Sequence, residues 1–336
     1  MRKQLLPVLS LWLGLSLPAF SQLHLSGYFS QDYLKGQADS AVPQGSFENI
    51  RAGLIFSGEW SPQFSYALEI QAKDFNRFEV EQAWASFRWS EAVRVRLGLY
   101  LVPFGRYNES GRSFETRLVE RPLPVSLNYP ASWRDIGAVV EGKIGFVTYS
   151  AYIGNGLAEA DSLGAGQQFR DNNRNKALGG RLGLLLDQGL EAGASYYSGR
   201  MDPANSRGLS LLGFDATWAS RGMRLSAEYS RAKIDNPAPY AAGTAEGYFV
   251  LFSFDIAGLS PLVAYEKNRT EDAFHGPGFA AGPLPGAGIF DNRNLWAVGL
   301  VYAASPNILI KLEYDFNRES AGLKNDIFRA QAAVHF

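Results

Sequence analysis

The last ten residues of the chain alternate strictly between apolar and polar positions. One side carries Phe328, Ala330, Ala332, Val334 and Phe336, and the other carries Arg329, Gln331, Ala333 and His335. Neighbouring residues of a strand point to opposite faces, so this segment is expected to form a strand with one apolar face. In hydrocarbon, only a sheet closed into a barrel satisfies its backbone groups. The alternation therefore predicts a membrane-spanning barrel strand that ends on an aromatic residue.

The same period-two pattern recurs along most of the chain, with turn residues between the segments. We predict strands near 23–33, 50–58, 63–73, 79–89, 93–102, 135–142, 144–154, 177–187, 190–199, 209–219, 222–232, 245–256, 261–268, 294–303, 307–317 and 327–336. Short and long connections alternate between them, which is typical of outer-membrane barrels with periplasmic turns and extracellular loops. The predicted fold is all-β: a transmembrane antiparallel β-barrel of about 16 strands with both termini on the periplasmic side.

The N-terminal residues have the pattern of a secretory signal. Arg2 and Lys3 precede an apolar stretch that runs from Leu5 to Leu17, and a small-residue site ends at Ser21. We predict a cleaved signal peptide over residues 1–21 and a single barrel domain over residues 22–336, placed in the bacterial outer membrane. No later stretch is apolar enough for a helical span.

Composition excludes several classes of protein. The chain has 32 Lys and Arg against 33 Asp and Glu, so it is not a generally basic nucleic-acid binder. It has no cysteine, which excludes disulfides and thiolate metal sites. Only three histidines are present, and His24 beside Ser26 has no evident third partner for catalysis. We predict no enzyme activity, no cofactor and no metal site.

Charged residues of the strands are expected to face the bore, because a cation on the lipid face costs about 2–4 kcal/mol at the bilayer midplane. The predicted lumen-facing cations are Arg51, Lys73, Arg94, Arg96, Arg181, Arg224, Lys311 and Arg329. The predicted lumen-facing acids are Glu69, Glu141, Glu191, Glu228, Glu266, Glu313 and Asp315. Because the numbers are nearly equal, charge count alone does not decide the ion preference. Interface girdles are expected of Trp60, Trp89, Tyr152, Trp218, Tyr248, Tyr265, Tyr302 and Phe336.

The third long connection, residues 103–134, is rich in arginine. It holds Arg106, Arg112, Arg117, Arg121 and Arg134 against Glu109, Glu115 and Glu120. We predict a short helix capped by Ser113 and ending before Pro122, with Arg117 and Arg121 on one face. Cations on one face of a constriction would concentrate anions. Alternatively, these arginines pair with the loop's own glutamates, or contact lipopolysaccharide or a neighbouring subunit.

Several short motifs follow one another in a recognisable order. They are Leu-Gly-Leu-Tyr-Leu-Val-Pro-Phe-Gly at 97–105, Val-Glu-Arg-Pro-Leu-Pro-Val at 119–125, Pro-Ala-Ser-Trp-Arg-Asp-Ile-Gly at 130–137, Ile-Gly-Asn-Gly at 153–156 and Glu-Gly-Tyr-Phe-Val at 246–250. In this order the chain resembles the phosphate-selective porin O and P family. The resemblance implies a sixteen-stranded homotrimeric porin whose third extracellular loop folds inward, with arginines and lysines that attract anions.

Together these features predict an outer-membrane porin for passive diffusion of small hydrophilic solutes, leaning toward anions such as phosphate. The predicted constriction and anion-selectivity residues are Arg94, Arg96, Arg106, Arg112, Arg117, Arg121 and Arg134. The expected partners are membrane lipid, lipopolysaccharide, small ionic solutes and two further copies of the chain, with no nucleic acid. The alternative is a non-conducting barrel that acts as an adhesin or a structural anchor.

Overall fold

A computed structural model describes residues 22–186, 189–276, 292–319 and 322–336. The predicted signal peptide, residues 1–21, lies outside the described residues. The strands are β1 Gln22–Gly36, β2 Ser46–Glu59, β3 Phe64–Lys73, β4 Arg77–Arg88, β5 Arg94–Leu101, β6 Arg134–Ile144, β7 Val147–Gly154, β8 Ala177–Leu186, β9 Leu190–Arg200, β10 Gly208–Ser220, β11 Met223–Ile234, β12 Gly243–Phe254, β13 Leu259–Asp272, β14 Arg293–Ser305, β15 Ile308–Glu319 and β16 Ile327–His335. Each predicted strand matches an observed strand, and the predicted and observed ends differ by a few residues.

The strands form one closed antiparallel barrel in which each strand pairs with its sequence neighbours and β1 pairs with β16. Closure leaves no sheet edge, so the backbone groups of every strand are paired within the wall. Among the described residues, no helix is long and apolar enough to cross a membrane. The predicted sixteen-stranded transmembrane barrel is confirmed.

The two ends of the barrel differ, as the alternating connection lengths predict. At one end the turns are tight: Arg221 and Gly222 join β10 to β11 with φ of 49° and 81°, the left-handed pair that suits a two-residue hairpin. At the other end the connections are longer, and the longest described in full is residues 102–133, here called loop 3. We refer to these as the turn end and the loop end; the turn end is expected to face the periplasm.

Exposure alternates along the strands with apolar residues outward. On β5, Leu97 is 57% exposed, whereas Tyr100 on the opposite face is fully buried. The predicted girdle position of Tyr152 is wrong, because this ring lies inside the barrel, 4% exposed and 6.4 Å from the ring of Tyr100. Its neighbour Ser150 pairs in register with Glu141, which faces the bore, so Tyr152 shares the inner face. It packs there on apolar side chains beneath loop 3.

Loop 3 folds into the barrel, as predicted, and carries its own apolar core with it. Val102, Phe104, Tyr129 and Trp133 are fully buried against wall residues such as Tyr197, whose ring lies 4.9 Å from that of Trp133. Part of the bore is therefore filled with packed side chains rather than water. This apolar filling places the polar passages on the remaining sides of the loop.

Candidate functional site: loop 3 and the cavities it bounds

The local structure of loop 3 differs from the sequence prediction. It contains a 3-10 helix at Tyr107–Ser110 and a short helix, α1 Leu123–Leu127, which begins directly after Pro122. The predicted helix from Ser113 to Pro122 is absent from this fully described loop. The carbonyl oxygens of Ser113 and Leu118 accept hydrogen bonds from Lys311 on the wall instead of from helical amides. Tertiary contacts therefore override the local capping signal.

Arg117 and Arg121 consequently do not share a helical face, which corrects the prediction for this pair. Arg117 reaches the turn end, where its guanidinium bonds Asp255 at 2.8 Å and Ser260 at 2.5 Å. Arg121 turns back into the loop and donates to the Gly111 carbonyl at 3.1 Å and the Ser132 hydroxyl at 2.8 Å. The two cations therefore act at different places in the bore.

Three wall carboxylates hold loop 3 by accepting hydrogen bonds from its backbone. Glu228 on β11 accepts hydrogen bonds from the backbone amides of Arg106 and Tyr107. Glu266 on β13 accepts one from the amide of Leu123, and Glu313 on β15 accepts one from the amide of Val119. These four bonds are 2.7–3.1 Å long. We call Glu228, Glu266 and Glu313 the docking carboxylates. They are at least 96% buried and therefore have little contact with water. The hydrogen bonds from the loop amides take the place of hydrogen bonds to water. The loop is thus fixed at three points along its length.

Glu228 is the most heavily used of these groups. Besides the two loop amides, it accepts a hydrogen bond from the Tyr129 hydroxyl at 2.5 Å. Gly105 allows this contact: its φ is +64°, and a Cβ at this position would lie 2.2 Å from a Glu228 oxygen. The Pro-Phe-Gly motif at the entry of loop 3 therefore has a structural explanation, the close approach of the loop backbone to β11.

Lys311 on β15 completes the docking by donating rather than accepting. Its side chain is buried, and Nζ donates to the Ser113 carbonyl at 2.6 Å, the Thr116 hydroxyl at 3.1 Å and the Leu118 carbonyl at 3.2 Å. The residue faces the lumen, as predicted, but it is covered by loop 3. Its role is therefore to hold the loop rather than to meet ions.

The far part of loop 3 reaches the opposite wall. Arg112 bonds Glu69 on β3 at 2.6 Å, and the Phe114 ring stacks on His335 of β16 at 4.9 Å. The loop therefore crosses the bore from β11 to the seam between β1 and β16. Two spaces beside loop 3 are the candidate passages for solutes.

The first of these spaces lies between loop 3 and β1–β4 and encloses about 90 Å³; we call it the loop-side cavity. Its charged lining consists of Arg51, Lys73, Arg112 and Arg121 with Glu69, Glu81 and Glu109. Lys73 pairs with Glu79 and Glu81, and Arg112 pairs with Glu69 and Glu115. Within the described chain, Arg51, Arg121 and Glu109 form no ion pair, so cations outnumber carboxylates by one in this cavity.

The second space lies toward the turn end and encloses about 580 Å³; we call it the turn-side cavity. Its charged lining consists of Arg88, Arg94, Arg106, Lys143 and Arg181 with Glu91, Glu109, Glu141 and Glu191. Arg94 and Arg96 share Glu141 at 3.4 and 2.7 Å, and Arg181 pairs with Asp215 and Glu191. Cations outnumber carboxylates by one here as well. Glu109 lines both cavities, and we call its position the neck.

The remaining predicted cations are held by carboxylates. Arg106 lies 3.7 Å from Glu191, Arg134 bonds Glu79 and Glu81 at the loop end, Arg224 bonds Asp255 at the turn end, and Arg329 bonds Asp315 and Glu120. The structure therefore does not gather the seven predicted constriction arginines at one point. It distributes them between the two cavities, the two ends and the wall.

Sequence reasoning did not identify the neck role of Glu109 or the docking role of the wall carboxylates. The docking carboxylates were predicted to face the lumen, and they recur on alternate strands that run in the same direction. That recurrence was an available signal for a shared role. Nothing in the sequence indicated which loop amides they would meet.

Glu109 is expected to make the ion preference of the pore depend on pH. Burial raises the pKa of this carboxyl group, while Arg96 and Arg106 lower it, Glu141 raises it and Arg181 lowers it. As pH falls, Glu109 therefore becomes neutral before an exposed carboxylate would, and the anion-to-cation permeability ratio should rise. Reversal potentials in a salt gradient at pH 7 and pH 5 measure this ratio.

The variant Glu109→Gln isolates that contribution from the other carboxylates. At pH 7 it should have a higher permeability ratio than the parent chain, and its ratio should change less between pH 7 and pH 5. Asp161→Asn, an exposed change in the loop between β7 and β8, is the control. An identical pH response of Glu109→Gln and the parent chain would exclude the neck role.

A closed membrane barrel with a loop folded inward over charged cavities defines the class of outer-membrane channels. The chain belongs to the Gram-negative porin family, whose family model matches residues 11–322. It is therefore an outer-membrane porin. An uncharacterized protein of Aquifex aeolicus (strain VF5) is 24% identical over 190 residues, which cover 52% of this chain and 43% of that protein.

Solved structures show the same fold at low identity. Salmonella typhi OmpF in a complex with daunomycin is 13% identical with a TM-score of 0.68, covering 94% of this chain and 98% of that chain. The anion-selective porin from Comamonas acidovorans is 13% identical with a TM-score of 0.66, covering 94% and 99%. The trimer form of in-vitro folded OmpT from Vibrio cholerae is 11% identical with a TM-score of 0.66, covering 94% and 100%.

Proposed function

We propose that this porin favours anions among the small hydrophilic solutes that diffuse through it. The observation that carries the proposal is the loop-side cavity, where Arg51 and Arg121 face the bore without an ion pair among the described residues. Burial lowers the pKa of the Arg121 guanidinium, Tyr107 raises it, the charge of Arg51 lowers it, and Glu81 and Glu120 raise it. The two cations therefore influence each other electrostatically across the cavity. Field focusing between low-dielectric walls would raise the local concentration of anions there.

A reversal potential across a planar bilayer in a potassium chloride gradient tests this preference. The parent chain should be anion-selective, and Arg51→Gln with Arg121→Gln should lower the permeability ratio by about threefold or more at low salt, where charges are least screened. Because Arg121 also bonds the loop, Arg51→Gln alone is a second variant that removes a cation without removing a hydrogen bond.

The matched control is Arg221→Gln with Lys324→Gln. Both residues are exposed, one in the turn between β10 and β11 and the other in the loop before β16, and neither lines the two cavities. The control should keep the parent ratio. Cation selectivity of the parent chain would refute the proposal, and absence of stepwise current would favour a non-conducting adhesin or anchor.

Phosphate is the anion we propose, because the motif order resembles the phosphate-selective porin O and P family. Guanidinium groups suit phosphate, which they bind through paired hydrogen bonds. Added inorganic phosphate should reduce the chloride current through the parent chain more than equimolar sulfate does. Equal reduction by the two anions would leave a general anion preference and remove the phosphate assignment.

We further propose that three copies assemble and that residues 1–21 are cleaved during export. The trimer form of the Vibrio cholerae structure supports the first point, and the secretory pattern of the N-terminus supports the second. Light scattering of the detergent-solubilised protein should give the mass of three barrels, and N-terminal sequencing should begin at Gln22. We propose passive diffusion without catalysis, in a membrane that contains lipopolysaccharide.

A further inference from the structure

The loop-side cavity contains hydrogen-bonding groups that the described chain leaves without partners. Gln71 Oε1, Ser113 Oγ and Arg121 Nη1 are buried atoms with no hydrogen-bond partner among the described residues, and all three side chains line this cavity. Buried polar groups in folded proteins are nearly always hydrogen-bonded. The three groups therefore indicate that water or a solute in the cavity completes their hydrogen bonds.

A chain of hydrogen bonds fixes the orientation of the Gln71 amide. Arg112 bonds Glu69 at 2.6 Å, so this carboxylate is an acceptor. The Tyr28 hydroxyl donates to Glu69 at 3.0 Å and accepts a hydrogen bond from Gln71 Nε2 at 2.5 Å. Because the amide nitrogen is used in this way, the oxygen Oε1 is left as the free end of the side chain. Gln71 therefore offers an acceptor, rather than a donor, to the contents of the cavity.

The docked loop supplies donors on the other side of the cavity. The Ser113 carbonyl accepts from Lys311 at 2.6 Å, which holds the residue in place, while its hydroxyl has no partner among the described residues. Arg121 uses Nη2 to bond the Gly111 carbonyl and the Ser132 hydroxyl, which leaves Nη1 free. Both side chains are held by the protein before a solute arrives, which lowers the entropy cost of binding.

The wall places a cation close to the Gln71 acceptor. Register pairs Arg51 of β2 with Lys73 of β3 and Gly53 with Gln71, so Arg51 and Gln71 are diagonal neighbours on adjacent strands, about 7–8 Å apart. Both line the cavity, which encloses about 90 Å³. This space holds a few water-sized groups and therefore a solute of only a few heavy atoms. An anion bound by Arg51 and Arg121 lies beside an acceptor that an anionic oxygen cannot satisfy.

We propose that Gln71 makes the loop-side cavity selective for small anions that carry a hydroxyl group beside the negative charge. The guanidinium groups bind the charge, and the hydroxyl donates to Gln71 Oε1 in place of water. A small anion without a hydroxyl leaves this buried acceptor unpaired, which is the condition under which a site rejects an analogue. The α-hydroxycarboxylates and hydrogen phosphate share this chemistry. The inference rests on the proposed anion preference and names the solute class that the same cavity selects.

Lactate and pyruvate are matched probes for the hydroxyl group. The two anions have the same charge at neutral pH and nearly the same size, but lactate has a hydroxyl where pyruvate has a carbonyl, which only accepts. Each is added to a potassium chloride solution while the current through the parent chain is recorded. Lactate should reduce the chloride current half-maximally at a concentration about threefold or more below that of pyruvate.

Gln71→Met removes the acceptor and keeps a side chain of similar length. Lactate should then act at the same concentration as pyruvate, whereas the anion-to-cation permeability ratio should stay near that of the parent chain, because Arg51 and Arg121 remain. Ser113→Ala removes a hydroxyl that has no partner in the described chain, so no described hydrogen bond within the protein is lost. It should weaken the effect of both anions.

The matched control is Gln82→Met. Gln82 of β4 also bonds Glu69, at 3.0 Å, but it does not line the cavity. This variant should keep the parent preference for lactate.

Equal action of lactate and pyruvate on the parent chain, or a parent-like preference in Gln71→Met, would overturn the inference. Unchanged action of both anions on Ser113→Ala would place their binding outside the loop-side cavity and would overturn it as well. An anion-selective parent chain without a lactate preference refutes this inference alone. Preference for lactate together with equal action of phosphate and sulfate would remove only the phosphate assignment.

Discussion

Replacing Glu228 with leucine should release the entry of loop 3 and enlarge the pore. The change introduces an apolar side chain of similar size and leaves the amides of Arg106 and Tyr107 and the hydroxyl of Tyr129 without their acceptor. Each buried donor without a partner costs about 1–3 kcal/mol, so the docked position of the loop loses several kcal/mol. We expect a larger and noisier single-channel conductance and new protease cleavage within loop 3.

Two further variants show whether the hydrogen bonds cause this effect. Glu228→Gln keeps one carbonyl acceptor and should fall between the parent chain and Glu228→Leu. Glu59→Leu removes a barrel carboxylate that is exposed at the turn end of β2 and makes no hydrogen bond to loop 3 in the described chain. It should leave conductance and protection unchanged. Parent-like conductance of Glu228→Leu, with the barrel intact, would contradict the docking role of Glu228.

Lys311→Met should free the far part of loop 3. Methionine fills much of the space of the lysine stem but cannot donate to the carbonyls of Ser113 and Leu118 or to the hydroxyl of Thr116. Each buried acceptor left without a hydrogen bond would destabilise the docked loop by about 1–3 kcal/mol unless water enters. We expect cleavage of residues 113–118 by a nonspecific protease in the folded barrel, and a lower midpoint of thermal unfolding.

Lys73→Met provides the comparison for this prediction. Lys73 also faces the bore, but it is partly exposed and pairs with Glu79 and Glu81 on the wall rather than with loop 3. Its loss should alter ion preference while loop 3 stays protected from protease. If loop 3 is equally well protected from protease in Lys311→Met and in Lys73→Met, the docking role of Lys311 is wrong.

These two predictions share one physical basis, the fixed position of the loop in the bore. Docking carboxylates accept from loop amides, Lys311 donates to loop carbonyls, and Arg112 bonds Glu69 on the opposite wall. Because buried polar groups must be satisfied, these bonds reinforce one loop arrangement over others. The widths of the two cavities then follow from where the loop is held.

The docking of loop 3 largely explains the motifs that resemble a porin family. Gly105 permits the approach of the backbone to Glu228. Downstream, Asp135 of the Arg-Asp-Ile-Gly motif accepts the amides of Asn155 and Gly156, both at 2.9 Å, and so ties the start of the next loop to β6. These residues are structural, and they do not by themselves define which solute passes.

The sequence alone determined the barrel, its sixteen strands and the face that most charged strand residues take. This was possible because the period-two alternation follows from the two solvents, lipid outside and water inside, and every strand meets both. Arg94 and Arg96 were thus assigned to the bore from β5 alone, and they lie there.

Only the tertiary structure decided what happens inside the bore. Loop 3 has no lipid-facing side, so no period-two pattern is imposed on it. The helix predicted from Ser113 does not form, because the Ser113 carbonyl accepts a hydrogen bond from Lys311, which is 198 residues away in the chain. Tyr152 was misplaced in a girdle because the lumen face was expected to be polar throughout, whereas loop 3 brings an apolar core inside. Which arginines keep a free charge depends on these same long-range contacts, which no local pattern encodes.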